Sequence, residues 1–337
     1  MTAAGHRHTI NDVTQQIRER YERFARTEAH GTSAVYEDLA MAVSRDEPAL
    51  AMLARLPAAK RQPNLLFGVL RLHGVPVDRP ADALAWMHEN EPLVLDEMRA
   101  RRTQTNEVAR CAVLLPALAA IEGPLAVVEA GASAGLCLLF DAWRYHYVGD
   151  GIDHHVGPAD ADLTLTCSVE GPVPLPERIP EVGWRAGLDL NPLDPGDADN
   201  RRWLECLIWP EHDHRVRDLR SALATAQRVR PRVEPGDILG DLPDLVRQAP
   251  DGLTPVVIHS ATLAYLGKRD RERFREQVRA LGAHRIGLDS ANAFPEVAEQ
   301  LPADVNPGRH YAITLDDRLL GYAEGHGGSL SWLPDRA

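Results

Sequence analysis

The sequence predicts an α/β protein in which an all-helical N-terminal domain precedes a doubly wound sheet with a β insertion. Three observations lead to this fold class. From about residue 10 to residue 121, apolar residues recur every three to four positions. From Leu125 onward, short apolar runs alternate with helical stretches, and one segment, "ADLTLTCSVEG", alternates apolar with polar residues. The first pattern is typical of amphipathic helices, the second of parallel βαβ units and the third of a half-exposed strand.

The first domain is predicted from the helical period alone. In "NDVTQQIRERYERFARTEA", Val13, Ile17, Tyr21 and Phe24 form one apolar face, and "TNEVARCAVLLPALAAI" ends the helical series. A chain of 337 residues favours two domains. We therefore expect a helical domain over residues 1–121, serving as a substrate or cap domain, and a second domain over 122–337.

The second domain begins where the pattern changes. "LAVVEA" predicts a first strand, and the amphipathic run that follows it to Tyr147 predicts a first helix. Further short strands are predicted in "WRAGLDLNP", "RVEPGDIL", "PVVIHSA", "HRIGLDS" and a hairpin-like end, "HYAITLDDRLLGYAEGHGGSLSWL". The insertion, at about 151–180, is predicted to be an antiparallel element between the first helix and the second parallel strand.

Composition narrows the possible partners. A net charge of −12 argues against nucleic acid, since no basic excess exists to displace phosphate counterions. No window has the roughly 20 apolar residues of a membrane span, and the N-terminus lacks the apolar centre of a signal peptide. The four cysteines are widely spaced, which favours reduced thiols in a cytoplasmic protein. No metal site is expected, because His212 and His214 point to different sides of a helix.

The stretch "VVEAGASAGLCLLF" supports two hypotheses. Gly131-x-Ser133-x-Gly135 matches the nucleophile elbow of a serine hydrolase. That elbow needs several preceding strands and an upstream oxyanion element, whereas the preceding region is predicted helical and "HGG" occurs far downstream at 326–328. A serine hydrolase using Ser133 is therefore kept as an alternative.

The second hypothesis is a cofactor loop. Glu129 and the glycines follow the first strand, Asp189 closes the second, Asp237 follows the third, and His259 with Ser260 closes the fourth. In doubly wound folds the ligand lies across the carboxyl ends of the strands, where these polar groups would converge.

This series resembles the class I S-adenosylmethionine-dependent methyltransferases over about residues 124–334. The resemblance implies a Rossmann-like, seven-stranded methyltransferase-type sheet, with the β insertion after the first Rossmann helix, and S-adenosylmethionine as cofactor. In that family the first-strand loop cradles the methionine part, the second-strand acid binds the ribose, and the third-strand Asp lies beside the adenine. The cofactor-binding residues it implies are Glu129, Gly131, Ala132, Ser133, Gly135, Asp189, Leu190, Asp237, Ile238 and His259.

The chain departs from that pattern at three points. Ser133 stands at the middle glycine of the loop, where its hydroxyl adds a donor for the ligand. Asp189 lies far beyond the usual spacing of about 20 residues, which the β insertion explains. The fourth strand lacks the Asn/Asp-Pro-Pro-Tyr of methyltransferases acting on nucleic-acid amino groups. A dinucleotide-binding oxidoreductase is disfavoured because the glycine spacing does not fit Gly-x-Gly-x-x-Gly.

Candidate catalytic residues come from two segments. His259 follows an apolar strand and has a suitable unperturbed pKa, which makes it a candidate general base. It could equally cap the next helix or contact the cofactor. Its neighbours Ser260 and Tyr265 are candidate substrate residues, although Tyr265 also suits packing.

The segment "TQTNEVAR" is the second candidate. Thr105 or Asn106 could cap the following helix, with Glu107 in its first turn. The alternative makes these pocket residues, with Asn106 and Arg110 contacting substrate and Glu107 as a second catalytic candidate.

"QTNEVARCAVLLPAL", "VVEAGASAGLCLLFDAWRYHY", "WRAGLDLNPLD" and "HSATLAYL" together resemble the bacterial domain-of-unknown-function 2332 family. That resemblance covers nearly the whole chain and specifies the fold more than the function. We expect a methyltransferase acting on a small or medium-sized molecule in a pocket between the glycine loop, His259 and the helical domain. The alternatives are a Rossmann-fold protein that binds a nucleotide or cofactor without methyl transfer, and the serine hydrolase.

Overall fold

In the computed structural model of the protein, residues 3–104 and 106–334 are described, with backbone alone for residues 3–11. The chain divides into two compact units. The helical unit comprises Met1–Thr105 and Ala198–Val216, and the sheet unit comprises Asn106–Asp197 and Arg217–Ala337. None of the helices in the described part of the chain has the length and apolar composition that a bilayer crossing requires.

This division differs from the boundary predicted between residues 121 and 122. Residues 106–121 pack with the sheet, and residues 198–216 pack with the N-terminal helices. The helical period shows that a segment is a helix with one apolar face, but it does not show which core that face joins. The domain boundary at residues 121 and 122 therefore remains a prediction that rests on periodicity alone.

The described residues form α-helices with the following bounds: α1 Ala3–Phe24, α2 Ala34–Arg45, α3 Glu47–Ala54, α4 Pro63–Leu72, α5 Pro80–Glu89, α6 Glu91–Ala100, α7 Arg110–Ala119, α8 Ala198–Leu207, α9 Asp213–Val229, α10 Leu242–Val246, α11 Lys268–Ala280 and α12 Pro295–Ala298. In the helical unit, α4 begins with Pro63 at its first position and is apolar nearly all round, so it lies at the centre. Its Phe67 packs against the rings of Tyr21, Phe24 and Tyr36 at centroid distances of 6.1, 5.9 and 4.8 Å. These aromatic contacts form the core of that unit.

The strands of the sheet unit have these bounds: β1 Leu125–Ala130, β2 Arg144–Gly149, β3 Ile152–Val156, β4 Thr164–Glu170, β5 Val182–Asp189, β6 Val233–Pro235, β7 Thr254–Ser260, β8 His284–Ser290, β9 His310–Leu315, β10 Arg318–Glu324 and β11 Ser329–Trp332. Together they make one mixed sheet in the order β3-β2-β4-β11-β10-β9-β8-β7-β1-β5-β6. The fold is therefore α/β, as predicted, with a sheet of eleven strands in the described residues rather than seven.

Strand β1 is buried along its whole length and pairs in parallel with β5 on one side and β7 on the other. Strands β6 and β8 extend the parallel region outward. The carboxyl ends of these parallel strands meet at one edge of the sheet, which is where loops converge in such folds. Asp316 and Asp317, both with positive φ, form the two-residue turn of the β9–β10 hairpin.

The β insertion is larger than predicted, and its pairing differs. It contributes β2, β3 and β4, so it starts at 144 rather than about 151. The prediction that "ADLTLTCSVEG" is antiparallel was wrong: β4 pairs in parallel with both β2 and β11. Alternating burial along β4 was visible in the sequence, but the direction of its neighbours depends on distant segments.

The predicted first Rossmann helix was also wrong. After β1 the chain makes a short 3₁₀ helix over Cys137–Ala142 and then enters β2. The aromatic residues Trp143, Tyr145 and Tyr147 are all fully buried, with half-buried residues between them. Their spacing of two residues is that of a strand, although the apolar residues of this run also fit the face of a helix.

Helix α7 packs against β4, β8 and β9 and contains Pro116. Proline has no N–H, so the Ala112 carbonyl one turn earlier cannot receive its usual helical hydrogen bond. The Tyr147 hydroxyl donates to that carbonyl oxygen at 2.8 Å. A side chain of the β insertion thus satisfies a buried acceptor that the helix leaves open, which ties β2 to α7.

We expect Tyr147→Phe to lower the free energy of unfolding by about 1–2 kcal/mol, because it leaves the Ala112 carbonyl unsatisfied. In a Pro116→Ala background the new N–H can bond that carbonyl, so the same substitution should cost about half as much or less. Urea unfolding of the four proteins of this cycle measures the coupling.

Tyr145→Phe is the matched control, since the Tyr145 hydroxyl donates instead to Phe140 O at 2.5 Å. Its cost should be equal with proline or alanine at position 116. Equal costs of Tyr147→Phe in both backgrounds would contradict the proposed link.

Candidate functional site

The loop that follows β1 has an unusual backbone. Gly131, Ser133 and Gly135 have φ values of 82°, 49° and 71°, in the left-handed region. Glycine occupies that region without strain, whereas serine there costs energy and is held by its surroundings. Strain of this kind in a strand-end loop is a recognised feature of ligand sites.

Two side chains hold the loop in this conformation. The Asp189 carboxylate, at the end of β5, accepts from the Ser133 amide at 2.8 Å. The Asn106 side chain accepts from the Ala134 amide at 2.9 Å and donates to the Ser133 Oγ at 2.6 Å. Asn106 therefore positions the loop and does not cap α7, whose N-cap residue is Ala109. Thr105, the other predicted cap, lies outside the described residues.

Close packing explains why residues in and beside the loop are small. A Cβ at Gly131 would collide with the Thr262 side chain, which itself donates to the Ala130 carbonyl at 3.1 Å. A Cβ on Gly187 of β5 would lie 2.5 Å from the Cβ of Ala132. The loops after β1 and β7 thus touch each other, and β5 presses against the first of them.

Beneath the loop lies a buried carboxyl group that lacks part of its hydrogen bonding. Glu129 is 4% exposed, and among the described residues its Oε2 has no hydrogen-bond partner. Burial raises the pKa of Glu129 well above its usual value, and the nearby Cys137 and Asp189 raise it further. An unsatisfied buried acceptor is costly, so this atom is a natural place for a ligand's donor or cation.

A buried cation lies near this carboxyl group. Arg110, at the start of α7, donates from Nε to the Gly325 carbonyl at 2.9 Å and from a terminal nitrogen to Ser260 Oγ at 3.4 Å. Its guanidinium also stacks over the ring of Tyr311 at 5.4 Å. Arg110 lowers the pKa of Glu129, but less than burial raises it. The Arg110–Ser260 pair lies at the carboxyl end of β7.

Glu107 is buried beside the same helix start. Its carboxylate accepts from the Ala109 amide at 3.4 Å, and its backbone carbonyl receives the Cys137 thiol at 3.9 Å. Glu107 is thus held by local contacts ahead of the helix: α7 begins at Arg110 with Ala109 as its N-cap residue, so Glu107 does not lie in the first turn, where the sequence pattern placed it.

The remaining predicted residues lie on the surface of this edge or close beneath it. Leu190 is 71% exposed and Tyr265 is 79% exposed, which is unusual for side chains of this size. Asp237 is exposed and accepts from the Leu239 amide at 2.9 Å, whereas Ile238 is buried. The edge therefore offers exposed apolar surface beside carboxylates.

His259 lies in a different environment from the one predicted. It is buried, with Nδ1 2.7 Å from Asp289 Oδ2 and Nε2 2.9 Å from a terminal nitrogen of Arg285. Arginine only donates, so Nε2 accepts and Nδ1 carries the proton that Asp289 receives. Both ring nitrogens are occupied, so the geometry does not support His259 as a general base. Burial lowers its pKa, and Asp289 only partly offsets this.

The structure brings together Asn106, Ser133 and Asp189 around the loop, with Glu129 and Arg110 close by. His259 does not belong to this group of residues, because its ring contacts Arg285 and Asp289 instead. Sequence reasoning missed the contributions of Thr262, Tyr311 and Cys137. Thr262 lies two residues after the end of β7, so its position at this edge could have been predicted from the sequence. Tyr311 comes from a hairpin that is distant along the chain.

The fold and this edge define an α/β protein with a strained loop at the carboxyl end of a central parallel strand. Residues 18–332 match the family described as "Uncharacterized protein conserved in bacteria (DUF2332)", so the chain belongs to that family. No curated protein matches the chain significantly.

The buried imidazole predicts a pH-dependent stability. The folded protein keeps His259 neutral to a lower pH than the unfolded chain, so protonation favours unfolding as the pH falls below about 6.5. His259→Gln removes this titration. The stability advantage of the wild type over this variant should therefore shrink between about pH 7.5 and pH 5, as measured by urea unfolding.

His284→Gln is the matched control, because it removes an exposed histidine that pairs with Asp316 at 2.6 Å. The same pH dependence in both variants would contradict the role assigned to His259.

Proposed function

We propose that this protein is an S-adenosylmethionine-dependent methyltransferase for a small or medium-sized substrate. One observation carries the proposal: the left-handed loop after β1 is held by Asp189 of β5, above a buried Glu129 oxygen that has no hydrogen-bond partner in the described part of the chain. That combination of a glycine turn, a neighbouring strand-end acid and an open buried acceptor suits a ligand with hydroxyl groups and a cationic amino acid part.

The strand order supports a Rossmann-like core within the larger sheet. Taken in chain order without the insertion, β1, β5, β6, β7, β8 and β9 lie in the spatial order β6-β5-β1-β7-β8-β9. This is the 3-2-1-4-5-6 order of doubly wound nucleotide-binding folds, although β9 here runs antiparallel to β8. The order reverses between β1 and β7, where such folds bind their ligands, and the loop lies there.

The residues at this edge fit the parts of the cofactor. Glu129 Oε2 would accept from the ammonium group. Each Asp189 oxygen already accepts one backbone amide, from Ser133 and Asn191, and retains a lone pair for a ribose hydroxyl. Leu190 would supply apolar contact to the adenine, with Asp237 and the Ile238 backbone at its polar edge.

When bound, the cofactor would supply a methyl group on a positively charged sulfur, which is already a good leaving group. The protein's task is then mainly to position a nucleophile in line with that methyl group and to exclude water. Arg110 and Ser260 would hold an acceptor or anionic group of the substrate, and the exposed Tyr265 would cover it. Since His259 is locked in its network, a substrate with a nucleophile that needs no strong base suits this site.

The serine hydrolase receives less support. Ser133 has the strained φ of an elbow residue, but it is 4% exposed and its Oγ lies 2.6 Å from the Asn106 amide nitrogen. A hydrolytic serine needs an imidazole in that position. The other alternative is a protein that binds a nucleotide or cofactor at this same site without transferring a methyl group. Only an assay of methyl transfer distinguishes it from the proposed methyltransferase.

Titration calorimetry with S-adenosylmethionine and S-adenosylhomocysteine tests the proposal. We expect both to bind the wild type, and Asp189→Asn to weaken binding by about tenfold or more, because a charge-assisted hydrogen bond to the ribose is lost. Asn keeps one oxygen that can accept from the Ser133 amide, but its NH2 group replaces the oxygen that accepts from the Asn191 amide, so circular dichroism must show that the variant keeps its fold.

Asp244→Ala is the control, since it removes an exposed carboxylate on α10 that pairs with Arg247 at 2.7 Å. No binding by the wild type at about millimolar ligand would contradict the proposal. Labelling of Ser133 by a fluorophosphonate probe, absent in Ser133→Ala, would favour the hydrolase instead.

A second test follows the proton on Glu129. Burial keeps more of this carboxyl group protonated near neutral pH than an ordinary glutamate, and a bound cation favours its ionised form. Binding of S-adenosylmethionine should therefore release up to about one proton near pH 7. Calorimetry in buffers of different ionisation enthalpy measures that release.

Glu129→Gln cannot ionise and should bind without this proton release. An equal release by wild type and variant would show that another group titrates, and would contradict the contact assigned to Glu129.

A further inference from the structure

The β2–β3 hairpin presents a cluster of polar side chains on its outer face. Alternate residues of β2 are buried, namely Tyr145 and Tyr147, so His146 between them points to the opposite side. On β3 the alternation leaves Asp153 and His155 exposed. These three residues therefore share the outer face of the hairpin.

The strand register brings the three side chains together. His146 and His155 are direct cross-strand partners, and Asp153 lies two residues before His155 on the same face. Directly opposed side chains in an antiparallel pair have Cβ atoms about 5 Å apart, with diagonal neighbours slightly further. The convergence is thus imposed by the backbone.

The observed geometry is that of a group of ligands around one point. The two imidazole rings stack with centroids 4.1 Å apart and planes 9° apart. His146 Nε2 lies 2.7 Å and His155 Nε2 lies 3.6 Å from the same oxygen, Asp153 Oδ1. All three residues offer a donor atom within 4.8 Å of the others.

We propose that His146, Asp153 and His155 form a binding site for a divalent transition metal of the zinc type. Two imidazole nitrogens and one carboxylate oxygen are a donor set that Zn²⁺ and its neighbours Co²⁺ and Ni²⁺ prefer, whereas Ca²⁺ and Mg²⁺ prefer oxygen alone. Three protein ligands leave at least one coordination position open to water or to a small molecule.

The hairpin is well suited to hold such a site because its other face is fixed. The Tyr145 and Tyr147 hydroxyls donate to Phe140 O and Ala112 O, and their rings stack with a 7° angle between planes. His154, on the inner side of β3, has Nε2 2.8 Å from the Pro176 carbonyl. Ligands on a rigid scaffold lose little freedom when a metal binds.

This site is independent of the proposed methyltransferase site. In the sheet order, β3 is the first strand and β1 is the ninth, so the two sites belong to different parts of the sheet. The sequence pattern predicts no metal site, because the histidines that are close along the chain, His212 and His214, point to different sides of a helix. His146 and His155 are nine positions apart in the numbering and meet only through strand pairing.

The test is calorimetric titration of Zn²⁺ into metal-free protein, together with visible absorption of the Co²⁺ form. The experiment uses untagged protein carrying His6→Ala/His8→Ala, which removes two N-terminal histidines that could bind metal weakly; this variant is the parent protein for the comparisons below. We expect saturable binding of one metal ion, weakened by about tenfold or more in His146→Ala, His155→Ala or Asp153→Asn. Zn²⁺ should raise the melting temperature of the parent protein and not that of His146→Ala/His155→Ala.

His284→Ala is the matched control, because it removes one exposed histidine that contacts an aspartate without a second imidazole. It should bind Zn²⁺ as the parent does. The proposal is overturned if the parent shows no saturable binding up to about 1 mM Zn²⁺. It is equally overturned if His146→Ala/His155→Ala, with an unchanged circular dichroism spectrum, binds as tightly as the parent.

Discussion

The parallel pairing of β1 with both β5 and β7 is the constraint on which the candidate site depends. Because β1 is buried on both sides, its chain can only emerge at the end of the strand, between the ends of its two neighbours. Asp189 ends β5 directly beside that exit, and Thr262 follows β7 on the other side. The loop after β1 is therefore closely packed between its neighbours. This close packing accounts for the glycines in the loop and for the left-handed backbone conformation of Ser133.

Two buried polar side chains in the sheet unit differ in how far hydrogen bonds offset the cost of removing them from water. His259 is fully satisfied, with Asp289 on one nitrogen and Arg285 on the other, and such networks stabilise a single arrangement. Glu129 is buried with one oxygen that no described residue hydrogen-bonds, and a buried acceptor of that kind costs stability. The first arrangement indicates a structural role, and the second is the one on which the proposed ligand site rests.

The candidate site could be partly predicted from the sequence. The strand-end positions of Glu129, Asp189, Asp237 and Ser260 followed from short apolar runs, since parallel strands place their carboxyl ends at one edge. The role of His259 could not be predicted, because its position near the end of β7 says nothing about Arg285 and Asp289 on β8. Asn106 was predicted either as a helix cap or as a pocket residue, but its contacts with the loop could not be predicted, since its partners there lie 27 and 28 positions further along the chain.

The sequence by itself determined what depends on neighbouring residues: the helical N-terminal region, the apolar strands, the glycine turn and the family to which the chain belongs. Tertiary structure decided what depends on distant partners. It made "RYHYVG" a strand, paired β4 in parallel, assigned residues 198–216 to the helical unit and opposed His146 to His155. The physical reason is that hydrophobic period reports which face of an element is buried, whereas register, direction and partner are set by long-range pairing.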